Sequence, residues 1–288
     1  MRRSRVLAAA LLLALAADAA CGWLAGGHRE VARGALRTLP AGLPEFFLAA
    51  EATLADLAVD PDVFRNRATP ALAGTEAVEH YLDLELVPGS TWPPGRAEHL
   101  KGIRARGLEI AQVGLLPYAI VEASERLTLA FALLRRNGED PAARAQALVW
   151  GGLLAHYAAD ACQPLHTTVH HDGWALPLGG SPLEGTHVRV DALLERVPFD
   201  RAGALAGVEA RALPDVAAAV RAEILASHAL VDRVYRLAPL LESPEGAAQP
   251  ELVAFTCDRY AAAARFVASL WLTAWERSKA IELPPWAR

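Results

Sequence analysis

The run Gln146-Ala147-Leu148-Val149-Trp150-Gly151-Gly152-Leu153-Leu154-Ala155-His156-Tyr157-Ala158-Ala159 contains no Lys, Arg, Asp or Glu, and Asp160 follows it directly. A segment apolar around most of its circumference has no solvent face, which predicts a helix buried inside an all-α protein. Asp140-Pro141 supplies its start: an aspartate cap, then a proline in the first turn, where the missing N–H costs nothing. Yet this helix carries His156 and, one turn later, Asp160. An ionised carboxylate buried without partners is expensive, so Asp160 must be paired, protonated or bound to a cation.

Outward from this run the apolar period is helical nearly everywhere, with no sustained strand alternation. The predicted helices cover residues 27–38, 44–58, 113–136, 141–162, 214–238 and 250–279, with Pro214 and Pro250 in first turns as at Pro141. No repeat or low-complexity block interrupts them. Long connections are expected at 59–112 and 167–212, and connections of that length in a compact domain are usually functional. The chain has 288 residues, 53% hydrophobic and 21% charged, which excludes disorder and fibrous repeats. The expectation is one multi-helix domain over residues 23–288.

The first residues read differently. Arg2, Arg3 and Arg5 precede an apolar run over 6–17 and then the small residues Ala19, Ala20 and Gly22. That order is a secretory signal peptide, residues 1–22, whose core is too short for a permanent membrane span. It predicts a secreted or periplasmic protein. Cleavage after Gly22 would make Trp23 the first mature residue, whereas Cys21 invites a lipoprotein reading that Asp18 opposes. After cleavage, Cys162 and Cys257 remain, as one disulfide or as two buried thiols. The mature chain has 25 basic and 32 acidic residues, a net charge of −7 against −5 for the whole chain. No broad basic face for holding long nucleic acid is implied.

His156 and Asp160, four apart on a helix, lie on one face and can converge on one ion. Alone, this spacing more often marks a structural hydrogen bond. The same spacing recurs at His187 and Asp191, however, and His166 lies between them in Gln163-Pro164-Leu165-His166. Upstream stand His80 in His80-Tyr81-Leu82-Asp83, Asp60 in Asp60-Pro61-Asp62, and His28 behind Gly26-Gly27. Imidazole and carboxylate ligands without cysteine characterise catalytic rather than structural zinc, because they leave coordination positions open. His99 and His228 fit no pattern and read as surface or helix histidines. His170 and His171 follow His166 in a loop that can face substrate. Asp83 and Glu85 are either groups that orient ligands or solvated charges.

The string His156-Tyr157-Ala158-Ala159-Asp160-Ala161-Cys162-Gln163-Pro164-Leu165-His166, followed by His187-Val188-Arg189-Val190-Asp191, resembles the superfamily joining zinc-dependent phospholipases C and single-strand-specific zinc nucleases of the P-one and S-one type. The resemblance runs in motif order from Trp23 to Asp191. It implies three zinc ions: one held by Asp60, His80, His156 and Asp160; a second by the amino group and carbonyl of Trp23 with His28 and a bridging Asp160; a third by His166, His187 and Asp191. Asp60 is preferred to Asp56 and Asp62 because it opens the Asp-Pro-Asp run. Asp60 and Asp160 would then serve catalysis as well as metal binding. The implied reaction is phosphodiester hydrolysis by a metal-bound hydroxide.

Three features lean to the nuclease branch: the short Trp23 to His28 spacing, Asp191 in place of Glu, and the His80-Tyr81-Leu82-Asp83 element. Counted from Asp60, the position of that branch's arginine is Val63, with Arg65 nearest. The branch's Asn-x-His before the last motif is replaced by Gly185-Thr186-His187. The expected substrate is therefore a phosphodiester, single-stranded nucleic acid or alternatively phospholipid, with no obligate protein partner. A non-catalytic zinc-binding protein is the contrasting reading. His171-Asp172 also matches the dipeptide of the His-Asp phosphohydrolases, but it falls in a Gly/Pro-rich loop rather than a helix.

Overall fold

The computed structural model describes residues 23–138, 140–175, 181 and 183–287. The signal peptide expected at 1–22 lies outside the described residues. Within them the protein is all-α: no sheet forms, and strand-like pairing is limited to two isolated bridges, Ala41 with Leu43 and Leu82 with Gly114. None of the described helices is long and apolar enough to cross a membrane.

The elements that build the centre are α1 (Ala25–Thr38), α2 (Glu51–Leu57), α3 (Asp60–Phe64), α4 (Pro70–Glu76), α5 (Leu116–Arg136), α6 (Pro141–Ala161), α7 (Thr186–Asp191), α8 (Val216–His228) and α9 (Pro250–Arg277). The expected cap forms at α6, where the Asp140 side chain accepts the Ala142 N–H at 2.9 Å and Pro141 occupies the first turn. α6 packs against α1, α2, α5 and α9 together, but the first part of the run expected to be buried is not fully covered, with Val149 exposed and Leu148 and Trp150 half-buried. Residues 151–161 of α6 are all buried. Trp271 of α9, fully buried, donates its indole N–H to the Gly151 carbonyl at 2.9 Å. Its truncation to Ala would cost about 3–5 kcal/mol on the scale of large-to-small core changes.

Two glycines set how closely α2 approaches. A methyl group at Gly152 would collide with the Leu57 side chain and backbone, and one at Gly151 would meet the Leu54 side chain at 3.0 Å as well as the Phe47 ring at 2.9 Å. This close contact lets the chain leaving α2 place the Ala58 carbonyl 2.8 Å from His156 Nδ1. A packing feature thereby becomes a feature of the site.

Several sequence expectations are corrected. The helix expected at 44–58 divides into Glu45–Leu48 and α2, and that expected at 214–238 divides into α8 and Val231–Leu237. Neither break contains Gly or Pro, so local sequence gives no warning, and tertiary packing overrides propensity. At the second break, His228 Nδ1 hydrogen-bonds the Thr167 carbonyl at 2.8 Å. Pro214 lies outside the first turn of α8, whose cap is Asp215. The expected connection 59–112 contains α3, α4, a turn of 3-10 helix at Ala77–His80 and a helix at Arg96–Ala105. Cys162 and Cys257 are free thiols, and Cys162 donates to Glu223 at 3.4 Å.

Candidate metal centre

Six elements converge at the C-terminal end of α6. His28 comes from the first turn of α1, Asp62 from α3 and His80 from the last position of the 3-10 turn Ala77–His80. His156 and Asp160 stand one turn apart on α6, His166 lies in the 3-10 turn Pro164–Thr167, and His187 and Asp191 stand one turn apart on α7. Three groups result whose ligand atoms lie within 4.8 Å of one another: His28, Asp62 and His156; His80, His156 and Asp160; His166, His187 and Asp191. Each can hold a metal ion.

Asp160 sits between these groups. Its Oδ2 is 3.1 Å from His80 Nδ1 and 3.3 Å from His156 Nε2, whereas its Oδ1 is 3.4 Å from His28 Nε2 and 3.9 Å from His166 Nδ1. The two oxygens of one carboxylate therefore address different histidines. His28 and His156 stack with ring centroids 3.8 Å apart. In the third group, His187 Nε2 is 3.2 Å from His166 Nε2 and 3.3 Å from Asp191 Oδ2.

Backbone and side-chain groups behind the histidines decide which nitrogen faces inward. The Ala58 carbonyl takes His156 Nδ1, and the His80 carbonyl takes His166 Nδ1 at 2.5 Å. Both rings thereby present Nε2 to the centre, since the tautomer follows from the bond that the other nitrogen makes. Gln163 performs a similar role for a carboxylate: its amide donates to Asp191 Oδ1 at 2.6 Å while its carbonyl accepts the Leu165 N–H. Asp172 accepts the His187 backbone N–H at 2.9 Å.

Burial dominates the electrostatics. It pushes the His28 imidazole down to about 3, helped by His156, and it lowers His166 and His187 as well. These rings are neutral, the form in which imidazole binds metal. Burial raises Asp191 well above the ordinary carboxylate range. Burial also acts to raise Asp160, but His156 and His166 outweigh it and hold the carboxyl well below its usual range. For His80, burial acts to lower the imidazole, yet contacts with Asp160 and Glu76 bring it up to about 9.

A cation fits what these residues leave unsatisfied. Nε2 of His28, Oδ1 of Asp160 and Oδ2 of Asp191, all facing the centre, are buried without a hydrogen-bond partner. Each such atom costs about 1–3 kcal/mol in an uncompensated interior. Imidazoles, those of His28, His166 and His187 held neutral by burial, and inward-facing carboxylates converging within ligand distance would be compensated by metal ions.

The geometry redistributes the sequence candidates. His28, His80, His156, Asp160, His166, His187 and Asp191 are brought together. Asp60 is not: it stands outside all three groups, its carboxyl pushed up by burial and by Asp56. Asp62, two residues on, is the aspartate that faces the histidines. It groups with His28 and His156 rather than with the His80, His156 and Asp160 expected for Asp60, and its Oδ1 reaches His80 Nδ1 only at 3.9 Å. Residues two apart on a helix point about 200° apart, so only one of the pair can face the histidines. Trp23 is fully buried beside the centre, its indole N–H donating to the Ala159 carbonyl at 3.0 Å, and the Leu24 N–H donates to the Asp191 carbonyl at 3.1 Å. His99 is buried against Tyr118 rather than on the surface, and it joins none of the groups.

A cavity of about 190 Å³ opens onto His80, His166 and His187, walled by Arg65, Tyr81, Asp83 and His171. Burial, with Glu85 nearby, pushes the Asp83 carboxyl up to about 7. Sequence reading did not single out Gln163 or Tyr157 as side chains supporting the centre, nor Glu76 at all. Glu76 carried one available signal, its four-residue spacing from His80. Comparison of the chain with protein-family models and with curated proteins returns no match.

Proposed function

We propose that this chain is an exported zinc-dependent phosphoesterase of the phospholipase C and single-strand nuclease type, acting preferentially on single-stranded nucleic acid. The observation that carries this reading is the position of Asp160, whose two oxygens face the histidines of adjacent three-ligand groups beside a cavity lined by Arg65. Zinc held by these groups would supply Lewis acidity to activate water and to neutralise charge on the phosphoryl oxygens.

The chain's own residues supply the rest. His28, Asp62, His80, His156, Asp160, His166, His187 and Asp191 would hold the ions, with the Trp23 amino group completing the His28 site once the signal peptide is removed. Arg65 offers a guanidinium to a phosphate oxygen in the cavity. Tyr81 and Asp83 form the wall against which the rest of the substrate would lie.

The nuclease preference gains support from the corrected aspartate. Counted from Asp62 rather than Asp60, the residue three positions on is Arg65, so the arginine expected of the nuclease branch falls in register. The experiment compares the zinc-loaded mature protein on single-stranded DNA, RNA, phosphatidylcholine and a generic bis-phosphodiester. Nucleotide release exceeding diacylglycerol release is expected. Diacylglycerol release alone would replace the nuclease preference with a phospholipase, and no hydrolysis of any of the four would reject the enzyme reading.

A further inference from the structure

His80 differs from His156 and His166, whose outer nitrogens meet backbone carbonyls, in what stands behind it. Its Nδ1 faces Asp160 and His156, but its Nε2 meets no backbone carbonyl and has no hydrogen-bond partner within bonding distance. The nearest acceptor is Glu76 Oε1 at 3.5 Å, four residues earlier, where α4 runs into the 3-10 turn. Glu76 is itself buried, and the same Oε1 accepts the Tyr157 hydroxyl at 2.6 Å. Tyr157 follows His156 on α6, and its ring stands edge-on to both His80 and His156.

We propose that Glu76, anchored by Tyr157, is the positioning residue that fixes the ring orientation of His80. By taking the Nε2–H, it keeps Nδ1 turned toward Asp160 and His156. This rests on the metal-centre reading above and adds to it a carboxylate that touches no ion. Without that acceptor, a half-turn of the ring, which would replace Nδ1 by a carbon at the centre, would be opposed only by the contacts of Nδ1 itself with Asp160 and His156. A carboxylate behind a ligating imidazole also raises the basicity of the ligand, and loss of such a group typically costs 10–100-fold in metal affinity.

Glu79 provides the comparison. It is a carboxylate on the same turn, but it pairs with Arg96 through both oxygens, at 2.5 and 2.9 Å, and Arg96 in turn reaches Glu122. Its loss would weaken the pair with Arg96, which Glu122 also holds, without touching the Nε2 side of His80.

The test uses zinc-loaded protein in chelator competition, together with the visible spectrum of the Co²⁺-exchanged protein. Glu76→Gln is expected to weaken one of the bound ions by about 10–100-fold and to change the Co²⁺ spectrum. Tyr157→Phe should weaken the same ion less, and the double variant should be no weaker than Glu76→Gln alone, because Tyr157 acts only through Glu76. Glu79→Gln should leave affinity and spectrum as in the wild type. A Glu76→Gln protein with unchanged affinity and spectrum would overturn the proposal, as would additive losses in the double variant or an equal loss in Glu79→Gln. A wild-type protein that binds neither zinc nor Co²⁺ would instead overturn the metal-centre reading beneath it.

Discussion

Asp62 Oδ1 lies 3.4 Å from Arg65 Nη1 and 3.9 Å from His80 Nδ1, so one carboxylate oxygen joins the cationic wall of the cavity to the histidine cluster. Asp60, two residues earlier on the same short helix, makes neither contact. Asp62→Asn should therefore cost about 10–100-fold in metal affinity or activity, while Asp60→Asn stays within about threefold of wild type. Paired assays of the two variants check this, and a reversed ranking would return the ligand role to Asp60.

Asp160 touches both sides of the centre. Asp160→Asn keeps the volume but removes the charge shared by His28, His80, His156 and His166, and should release more than one ion with at least about a hundredfold loss of activity. Asp83→Asn, in the cavity wall, should keep its full zinc content. Elemental analysis of both proteins reads the difference, and equal zinc in the two would remove Asp160 from its bridging place.

How legible the site was depended on how regular its elements are. His156 with Asp160 and His187 with Asp191 stand out because four-residue spacing on a helix is a fixed geometry, and the apolar run around Gly151 and Gly152 announces a buried helix. The Asp140-Pro141 start was equally readable. The choice between Asp60 and Asp62 was not, because a five-residue helix has no periodicity from which to read its phase. Glu76 and His80 straddle the join of an α-helix and a 3-10 turn, so their spacing had no assured direction. The breaks after Leu48 and His228 carry no Gly or Pro, and only the packed structure reveals them.

Maturation should complete the site at His28. Trp23 is held to α6 by its indole N–H, which donates to the Ala159 carbonyl, and the next residue, Leu24, donates its backbone N–H to the Asp191 carbonyl at the end of α7. If its amino group binds zinc, protein beginning at Trp23 should hold one more ion than otherwise identical protein beginning at Gly22, and be markedly more active. Equal zinc content and equal activity would show that the terminus is not a ligand.

The neutral state of His28 has a consequence for metal-free protein. Its folded value of about 3 lies below the ordinary 6.5, so between those limits the unfolded chain takes up a proton that the folded chain refuses. Stability from this group is present above pH 6.5 and is lost as pH falls toward 3, by at most about 1.4 kcal/mol per pH unit. Asp191, raised by burial, acts with the opposite sign above the ordinary carboxylate value, so the contribution is isolated by comparing variants. In denaturant melts of metal-free protein between pH 7 and pH 4, His28→Gln should lose less stability on acidification than wild type. Parallel pH profiles would contradict the burial of a neutral His28.

The most direct measurement is the zinc content of the mature protein, by elemental analysis, before and after a strong chelator. Close to three zinc ions per chain are expected, with their removal abolishing phosphodiester hydrolysis and lowering the melting temperature, because ligands that bind the folded state stabilise it. At most one zinc per chain in active protein, or full activity after complete removal, would contradict the trinuclear centre.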